Sequence, residues 1–437
     1  MIKVRNELLT LNIGSFYFAK NYPLLFLSQI IPLNRYKGKG GIIMKNIVIL
    51  GGGYAGINLI KSLKSQLKNE IGNSVRIILV DKNPYHFRKV ILFKLVTEEV
   101  QIKIPFEQYC SEGIEFVQGE VLNLHSNSKN VELKVENEQI INLPYDYLVI
   151  SLGSVVKVNS AIPGGISLGD ENSALSIREQ INNLIQRAKL IDDKEKQKDA
   201  LRIAVVGGGI TGIETVSELI EWYKNKLDTA GINPDHGEIL LLDPKEHLLD
   251  GASLKVSKKL ENKLSDLGVK FIPKTRVREY NENRLHCENG TVYSVGVCIV
   301  TNGLSPNPLI KKMELPLSEQ NQLIVNDIYS VKGYNDIFAI GDCARVVDRK
   351  TNQIDGMTCK EGIPQAQRLG KILTNLLLNR PNKITHKGYP AKGYCISLGP
   401  HEAFVWGQKW GIDFVITGKL GLQIRKMTWD LASLVTK

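Results

Sequence analysis

The sequence predicts an α/β protein with two Rossmann-like domains, followed by a C-terminal α+β region that ends in an amphipathic helix. An apolar run, a glycine-rich turn and a helical pattern follow one another at residues 45–67, and the same order recurs at residues 202–223. This alternation is typical of parallel sheets whose two faces are covered by helices. The length of 437 residues exceeds what one hydrophobic core usually serves, so two or three domains are expected.

The first glycine turn lies between the apolar run "KNIVIL" and the helical pattern "INLIKSLKSQL". In its GxGxxG spacing, Gly51 allows a tight turn, Gly53 lets a pyrophosphate approach the backbone, and Gly56 lets helix and strand pack closely. Asp81 ends the next apolar run, where a carboxylate can accept both ribose hydroxyls. Since a pyrophosphate is also favoured at a helix N-terminus, the unit predicts a dinucleotide site. A purely structural turn would have no use for the terminal acid.

The second glycine turn has the same spacing at Gly207, Gly209 and Gly212, and Asp243 ends its second strand. An acid at this position favours the free 2′-hydroxyl of NADH over the 2′-phosphate of NADPH, although Lys245 weakens that preference. Two such units in one chain predict two dinucleotides, one held and one exchanged. The natural pairing is FAD as the held cofactor and NADH as the cosubstrate.

Glu214 follows the third glycine of the second turn by two positions, at the start of the predicted helix. Its carboxylate could complement the positive end of the helix dipole. It could equally extend toward the nicotinamide end of a bound cofactor. The residues alone leave both interpretations open.

Composition and charge exclude several classes. The net charge is +11, but no arginine-rich patch interleaved with aromatics and no zinc-finger spacing occurs, so no nucleic-acid partner is expected. No run of about 20 apolar residues predicts a membrane-spanning helix. The scattered cysteines contain no CxxC pair, which favours a reducing, cytoplasmic compartment with neither a disulfide framework nor a metal site. They are Cys110, Cys287, Cys298, Cys343, Cys359 and Cys395.

Residues 1–43 differ from the rest of the chain. They hold six basic residues against one acidic residue, and an apolar run at residues 22–33 is too short to span a membrane. We interpret residues 1–43 as a non-core N-terminal extension. Met44 would then be the true start, with a targeting presequence or a membrane-surface anchor as the alternatives.

The last predicted helix begins near Gly418 and combines apolar residues and a tryptophan with basic ones. Such a helix is typical of the membrane interface. The alternative is that its apolar residues pack against the protein's own core or against a partner in a homodimer. We expect contact with a membrane surface and keep the alternative open.

Seven motifs together make a larger pattern. They are "KNIVILGGGYAG" (45–56), "DKNPYHFRKVILFKL" (81–95), "VQGEV" (117–121), "YDYLVISLGS" (145–154), "VTNGLSPNP" (300–308), "IFAIGDCA" (337–344) and "KGYCISLGPHEAFV" (392–405). On these motifs the chain from Met44 onward resembles the glutathione-reductase-like flavoproteins with two dinucleotide-binding domains. Within that group it resembles the type II NADH dehydrogenases and their NADH dehydrogenase-like relatives.

The resemblance implies domains and site residues. The FAD-binding domain would comprise residues 44–158 and 305–385, the NAD(H)-binding domain residues 159–304, and the C-terminal region residues 386–437. Cofactor-binding residues would be Gly51, Gly53, Tyr54, Ala55, Gly56, Asp81, Lys82, Val121, Gly153, Gly207, Gly209, Gly212, Asp243, Gly303, Gly341 and Asp342. Asp342 would hydrogen-bond the ribityl chain of FAD. Glu214 would lie near the nicotinamide, and Lys392 would lie in a quinone pocket.

The implied activity is transfer of a hydride from NADH to FAD and of two electrons to a quinone, without proton pumping. The protein would be cytoplasmic and peripheral on the inner face of the plasma membrane. The alternatives are a reductase of a soluble electron carrier and a flavin/NAD(H) redox sensor.

Two features separate the chain from relatives in the group. Quinone-reducing members usually carry a helix motif with two glutamines, whose positions counted back from Gly370 fall here on Arg368 and Pro364. This departure puts the electron acceptor in question, and Pro364 predicts a helix that begins there. A disulfide reductase needs a cysteine pair soon after the first glycine turn, and none occurs between Met44 and Cys110.

Overall fold

The computed structural model describes residues 44–156, 162–301, 303–389 and 392–435. The expectation for residues 1–43 lies outside the described residues. The α-helices are α1 Tyr54–Gln66, α2 Glu171–Ala188, α3 Lys194–Leu201, α4 Ile210–Thr229, α5 Leu254–Leu267, α6 Cys359–Leu377 and α7 Gly418–Ala432.

The first half of the fold is built on a five-stranded parallel sheet. In spatial order its strands are Ile337–Ala339, Tyr147–Ile150, Lys45–Leu50, Val75–Asp81 and Ile114–Gln118. The central strand is fully buried over its last four residues, which share one hydrophobic core with apolar residues of helices α1 and α6. The chain leaves this sheet after residue 150 and returns to it only at Ile337.

A second parallel sheet fills the interval between those two visits. In spatial order its strands are Ile166–Ser167, Val297–Val300, Ile203–Val206, Ile239–Leu242 and Val269–Ile272. Both sheets therefore repeat the strand–turn–helix–strand order that the two glycine turns predict. The segments that join the halves also pair with each other, since Ser154–Val156 runs antiparallel to Leu304–Pro306.

Antiparallel sheets complete the fold. Three-stranded sheets are formed by Glu120–His125, Asn130–Lys134 and Ile140–Pro144, by Val277–Asn281, Arg284–Cys287 and Val292–Ser294, and by Lys392–Ser397, Ala403–Lys409 and Ile412–Thr417. A short antiparallel pair is formed by Tyr85–Phe87 with Lys103–Pro105, and a short parallel pair is formed by Leu323–Ile324 with Ala344–Arg345. The last three-stranded sheet and α7 make up the C-terminal α+β region.

One local prediction is wrong. Helix α6 begins at Cys359, so Pro364 lies in its second turn and not at its start. Proline there has no N–H for the carbonyl of Lys360, which costs the helix one hydrogen bond. Packing of this helix against α1 outweighs that cost.

Helix α7 divides its apolar residues between two sides. Leu422 and Trp429 are buried, whereas Leu420, Met427 and Leu431 are exposed. The buried residues agree with packing against the protein's own core, and the exposed ones agree with contact with a membrane surface. Among the described residues, no helix is long and apolar enough to cross a membrane.

Candidate functional site

The first glycine turn connects the central strand of the first sheet to α1. Gly51 has a φ of +101°, which favours glycine. A Cβ on Gly56 would lie 2.1 Å from the carbonyl oxygen of Gly51, whereas a Cβ on Gly53 would have no atom within 4 Å. The first and third glycines thus serve the turn and its packing. The second, which caps α1 without a side-chain hydrogen bond, leaves the free N–H groups of the helix open to an anion.

Asp81 binds this turn directly. The N–H of Gly52 donates to its Oδ2 at 2.8 Å, and the N–H of Asn83 donates to its Oδ1 at 2.9 Å. Nδ1–H of His86 in turn donates to the carbonyl of Gly52 at 2.9 Å. The argument that a structural turn has no use for the acid is therefore wrong. Contact of Asp81 with a ribose stays a prediction, because a carboxylate oxygen can accept more than one hydrogen bond.

The second turn repeats the first in detail. A Cβ on Gly212 would lie 1.8 Å from the carbonyl oxygen of Gly207, and a Cβ on Gly209 would meet nothing within 4 Å. The N–H of Gly208 donates to Oδ2 of Asp243 at 2.6 Å, and Oδ1 of Asp243 accepts from the N–H of Lys245 at 2.8 Å. Two equivalent glycine turns, each fixed by a carboxylate and each open at its second glycine, thus occur in one chain.

Asp342 lies next to the first turn. It accepts a hydrogen bond from Ser154 Oγ at 2.6 Å. Burial raises the pKa of the Asp342 carboxyl, and Ser154 and then Lys89 act against that rise. The site beside it is narrow, since a Cβ on Gly341 would lie 3.1 Å from Cβ of Ala55.

Gln365 holds the backbone next to Asp342. Its Oε1 accepts from the N–H of Gly341 at 2.8 Å, and its Nε2 donates to Asp355 Oδ2 at 2.7 Å. Gly341 has a φ of +75°, so the glutamine fixes a left-handed turn that few other residues would adopt. Through this glutamine, helix α6 fixes the backbone next to the predicted ribityl-binding aspartate.

The remaining predicted cofactor residues have varied surroundings. The Tyr54 hydroxyl accepts from the N–H of Val90 at 3.1 Å, and burial raises its pKa. Gly153 and Gly303 have φ values of +65° and +86°, and they flank the paired segments that join the two halves. Val121 is buried and Lys82 is exposed.

The structure does not bring the two predicted catalytic residues together in one exposed site. Glu214 is buried, and its carboxylate pairs with Arg425 and accepts from the N–H of Ser397. Burial raises the pKa of Glu214, and Arg425 and Ser397 act against that rise. Lys392 begins its strand with an exposed side chain. Lys360, which no motif singled out, lies near Lys392, since its Nζ donates to the carbonyl of Gly393 at 3.5 Å and lies 4.9 Å from the centre of the Tyr389 ring.

Three comparisons place these features among known proteins. The pyridine nucleotide-disulphide oxidoreductase family matches residues 45–368. A type II NADH:quinone oxidoreductase of Haemophilus influenzae is 26% identical over 395 residues, covering 82% of this chain and 86% of that protein. The demethylphylloquinone reductase NdbB of Synechocystis is 27% identical over 390 residues, covering 88% and 91%.

Among solved structures, NDH2 from Plasmodium falciparum in complex with NADH resembles this chain with a TM-score of 0.74. The match covers 90% of this chain and 95% of that protein at 18% sequence identity. At that identity the likeness concerns the fold.

Proposed function

Because the chain belongs to the pyridine nucleotide-disulphide oxidoreductase family, we propose that it is an FAD-dependent NADH dehydrogenase that delivers electrons to a membrane quinone. The observation that carries the proposal is the duplicated glycine turn with its terminal carboxylate. One copy lies beside Asp342 and the other does not, so the two turns have different ligands. The names of the relatives, a type II NADH:quinone oxidoreductase and a demethylphylloquinone reductase, support the acceptor.

The residues around the first turn fit FAD. The open side of Gly53 leaves room for a pyrophosphate at the N-terminus of α1. Asp342 would hydrogen-bond the ribityl chain, and Lys89 supplies a positive charge close to it. Because Gly341 has no Cβ, the Asp342 turn can lie close against Ala55 of α1, beside the first glycine turn.

When bound, FAD supplies a centre that takes a hydride from a nicotinamide and gives up electrons to a second acceptor. The chain itself needs no strong general acid or base for this reaction. Its residues bind the two dinucleotides, orient them and exclude water, since hydride transfer depends on close and aligned approach. The second turn, with Asp243, would hold NADH.

A disulfide is not the proposed acceptor, in spite of the family's name. All six cysteines lie within the described residues and are free. Burial raises the pKa of the thiols of Cys343 and Cys359, so neither is an activated thiolate. The chain therefore belongs to the family, but its cysteines do not form the redox-active pair that a disulfide reductase needs.

The C-terminal region offers a surface for a membrane that holds the quinone. The hairpin between its last two strands ends in Trp410, which is 87% exposed, next to exposed Ile412 and Phe414. Leu420 and Leu431 of α7 are exposed as well. Tryptophan with apolar and basic residues is typical of the interface region of a bilayer. We propose peripheral attachment there, on the inner face of the plasma membrane.

A spectral titration tests the function. Purified holoprotein should show flavin absorbance that NADH bleaches rapidly under anaerobic conditions and that a short-chain quinone restores rapidly. If the flavin stays bleached after quinone is added, and a soluble redox protein restores its absorbance, the carrier reductase would be supported instead. A long-lived charge-transfer band with no reoxidation by either would support the redox sensor.

Attachment is tested by flotation with anionic lipid vesicles. Trp410→Ser together with Ile412→Ser should reduce the bound fraction several-fold. Leu175→Ser, at an exposed leucine on α2, is the matched control. Equal flotation of the hairpin variant and the native protein would contradict the proposed surface.

A further inference from the structure

Helix α7 inserts a guanidinium into the interior. The Arg425 side chain is only 12% exposed, and it meets Glu214, whose side chain is 3% exposed. Nε of Arg425 donates to Oε1 of Glu214 at 2.9 Å, and Nη2 donates to Oε2 at 3.0 Å. Two parallel hydrogen bonds of this kind fix both partners in distance and in plane.

A third donor completes the cluster. The N–H of Ser397, in the first strand of the C-terminal sheet, donates to Oε1 of Glu214 at 2.8 Å. The carboxylate thus joins α4, α7 and the C-terminal sheet at one point. Glu214 lies two residues after the third glycine of the second turn, so this junction is part of the proposed NADH-binding unit.

The C-terminal end of α7 is tied to the first half of the fold. Arg88 Nη2 pairs with Asp430 Oδ1 at 2.8 Å. Asn58 of α1 donates from Nδ2 to the carbonyl of Ala432 at 3.0 Å. Helix α7 is therefore a strap, fastened to the proposed FAD-binding half at its C-terminal end and to the proposed NADH-binding half through Arg425.

We propose that Arg425 is a positioning residue for hydride transfer: its ion pair with Glu214 closes the strap and fixes the NADH-binding half against the FAD-binding half. This inference rests on the proposed function. Reacting atoms must approach to about 3–3.5 Å, and a displacement of about 1 Å can cost on the order of 100-fold in rate. The pair is the fastening of α7 on the NADH-binding side, so its loss frees that half to shift relative to the FAD-binding half.

Stability alone accounts poorly for the arrangement. A buried ion pair adds little net stability, because loss of hydration offsets most of the attraction between the charges. Neutral partners of similar size often serve as well for folding. The larger consequence of the pair is the geometry that it imposes.

The test uses the FAD-loaded double variant Glu214→Gln/Arg425→Met. Gln at position 214 keeps an acceptor for the Ser397 N–H, and neither charge is left buried alone. The variant should retain FAD and melt within a few degrees of the native protein. Its flavin should be bleached by saturating NADH in stopped flow about 10- to 100-fold more slowly. Arg425→Lys, which keeps the charge but loses the planar fork, should fall between the two.

Lys426→Met is the matched control on the same helix. It removes an exposed positive charge next to Arg425 and leaves both fastenings of the strap in place, so its bleaching rate should stay within about two-fold of native. A double variant that is bleached at the native rate would overturn the inference while leaving the proposed function intact. A Lys426→Met rate as low as that of the double variant would also overturn the specific role of Arg425. If NADH does not bleach the native protein, the proposed function and this inference both fail.

Discussion

Protonation of His86 should destabilise the fold in mildly acidic solution. Its side chain is completely buried and donates from Nδ1–H to the carbonyl of Gly52, inside the first glycine turn. Burial lowers the pKa of His86 to about 4, with Arg88 adding to the effect. The unfolded chain, with a histidine pKa of about 6.5, binds more protons between these values. Stability therefore falls as the pH drops through that interval.

The size of the effect follows from the two pKa values. One pKa unit corresponds to about 1.4 kcal/mol, so the free energy of unfolding should fall by roughly 2.5 kcal/mol between pH 7.5 and pH 4.5 from this group alone. Below about pH 4 the folded state is protonated as well, and the contribution of His86 no longer changes. The free energy of unfolding falls on acidification because the fold disfavours the charged form of a buried histidine.

The measurement compares His86→Asn with the native chain by urea unfolding at the two pH values. Asn keeps an N–H donor near the position of Nδ1 but does not titrate, so it should be less stable at pH 7.5 and lose about 2.5 kcal/mol less on acidification. His401→Asn is the control, since that histidine side chain is 76% exposed. The same loss on acidification in His86→Asn and in native protein would refute the reasoning.

Four further substitutions address the turns and the carboxylates. Gly212→Ala should lower the melting temperature by several degrees, because its Cβ would lie 1.8 Å from a carbonyl oxygen. Gly209→Ala should melt like native protein and only raise the KM for NADH. Equal melting temperatures of the two variants would contradict the packing argument. Asp342→Asn should leave less than half of the FAD absorbance per mole of purified protein, and full retention would remove Asp342 from the site. Asp243→Ala should raise the KM for NADH several-fold and narrow the preference over NADPH, so steady-state kinetics with an unchanged preference would count against its ribose contact.

The parts of the fold that the sequence predicts are those in which local pattern and burial coincide. The strand Lys45–Leu50 is covered on both faces, so its residues form a continuous apolar run that is visible without any partner. The glycines are equally local, because Gly51 and Gly56 meet each other across five positions. The family match over residues 45–368 confirms the expectation that these motifs raised.

The contacts that escaped prediction join distant segments. Gln365 and Gly341 meet across 24 positions, and Arg425 and Glu214 across 211. No periodicity marks a glutamine as the partner of a particular N–H, or one arginine among several basic residues as the buried one. Asp81 escaped in another way. Its motif is easy to recognise, but the motif assigns the Asp81 carboxylate to a ligand. In the structure this carboxylate accepts a hydrogen bond from Gly52 of the turn itself.

Helix α7 shows how an amphipathic pattern can mislead. Ordinary surface helices bury apolar residues and expose charged ones. Here the buried side includes the ion-paired Arg425, while Leu420 and Met427 are exposed. The buried charge of Arg425 is compensated by Glu214, and the exposed apolar side chains are the ones available to a membrane surface. The same helix thus faces the proposed hydride-transfer junction with one side and the proposed membrane surface with the other. Removal of α7 should therefore impair flavin reduction in detergent solution, where loss of a membrane anchor alone would have no effect.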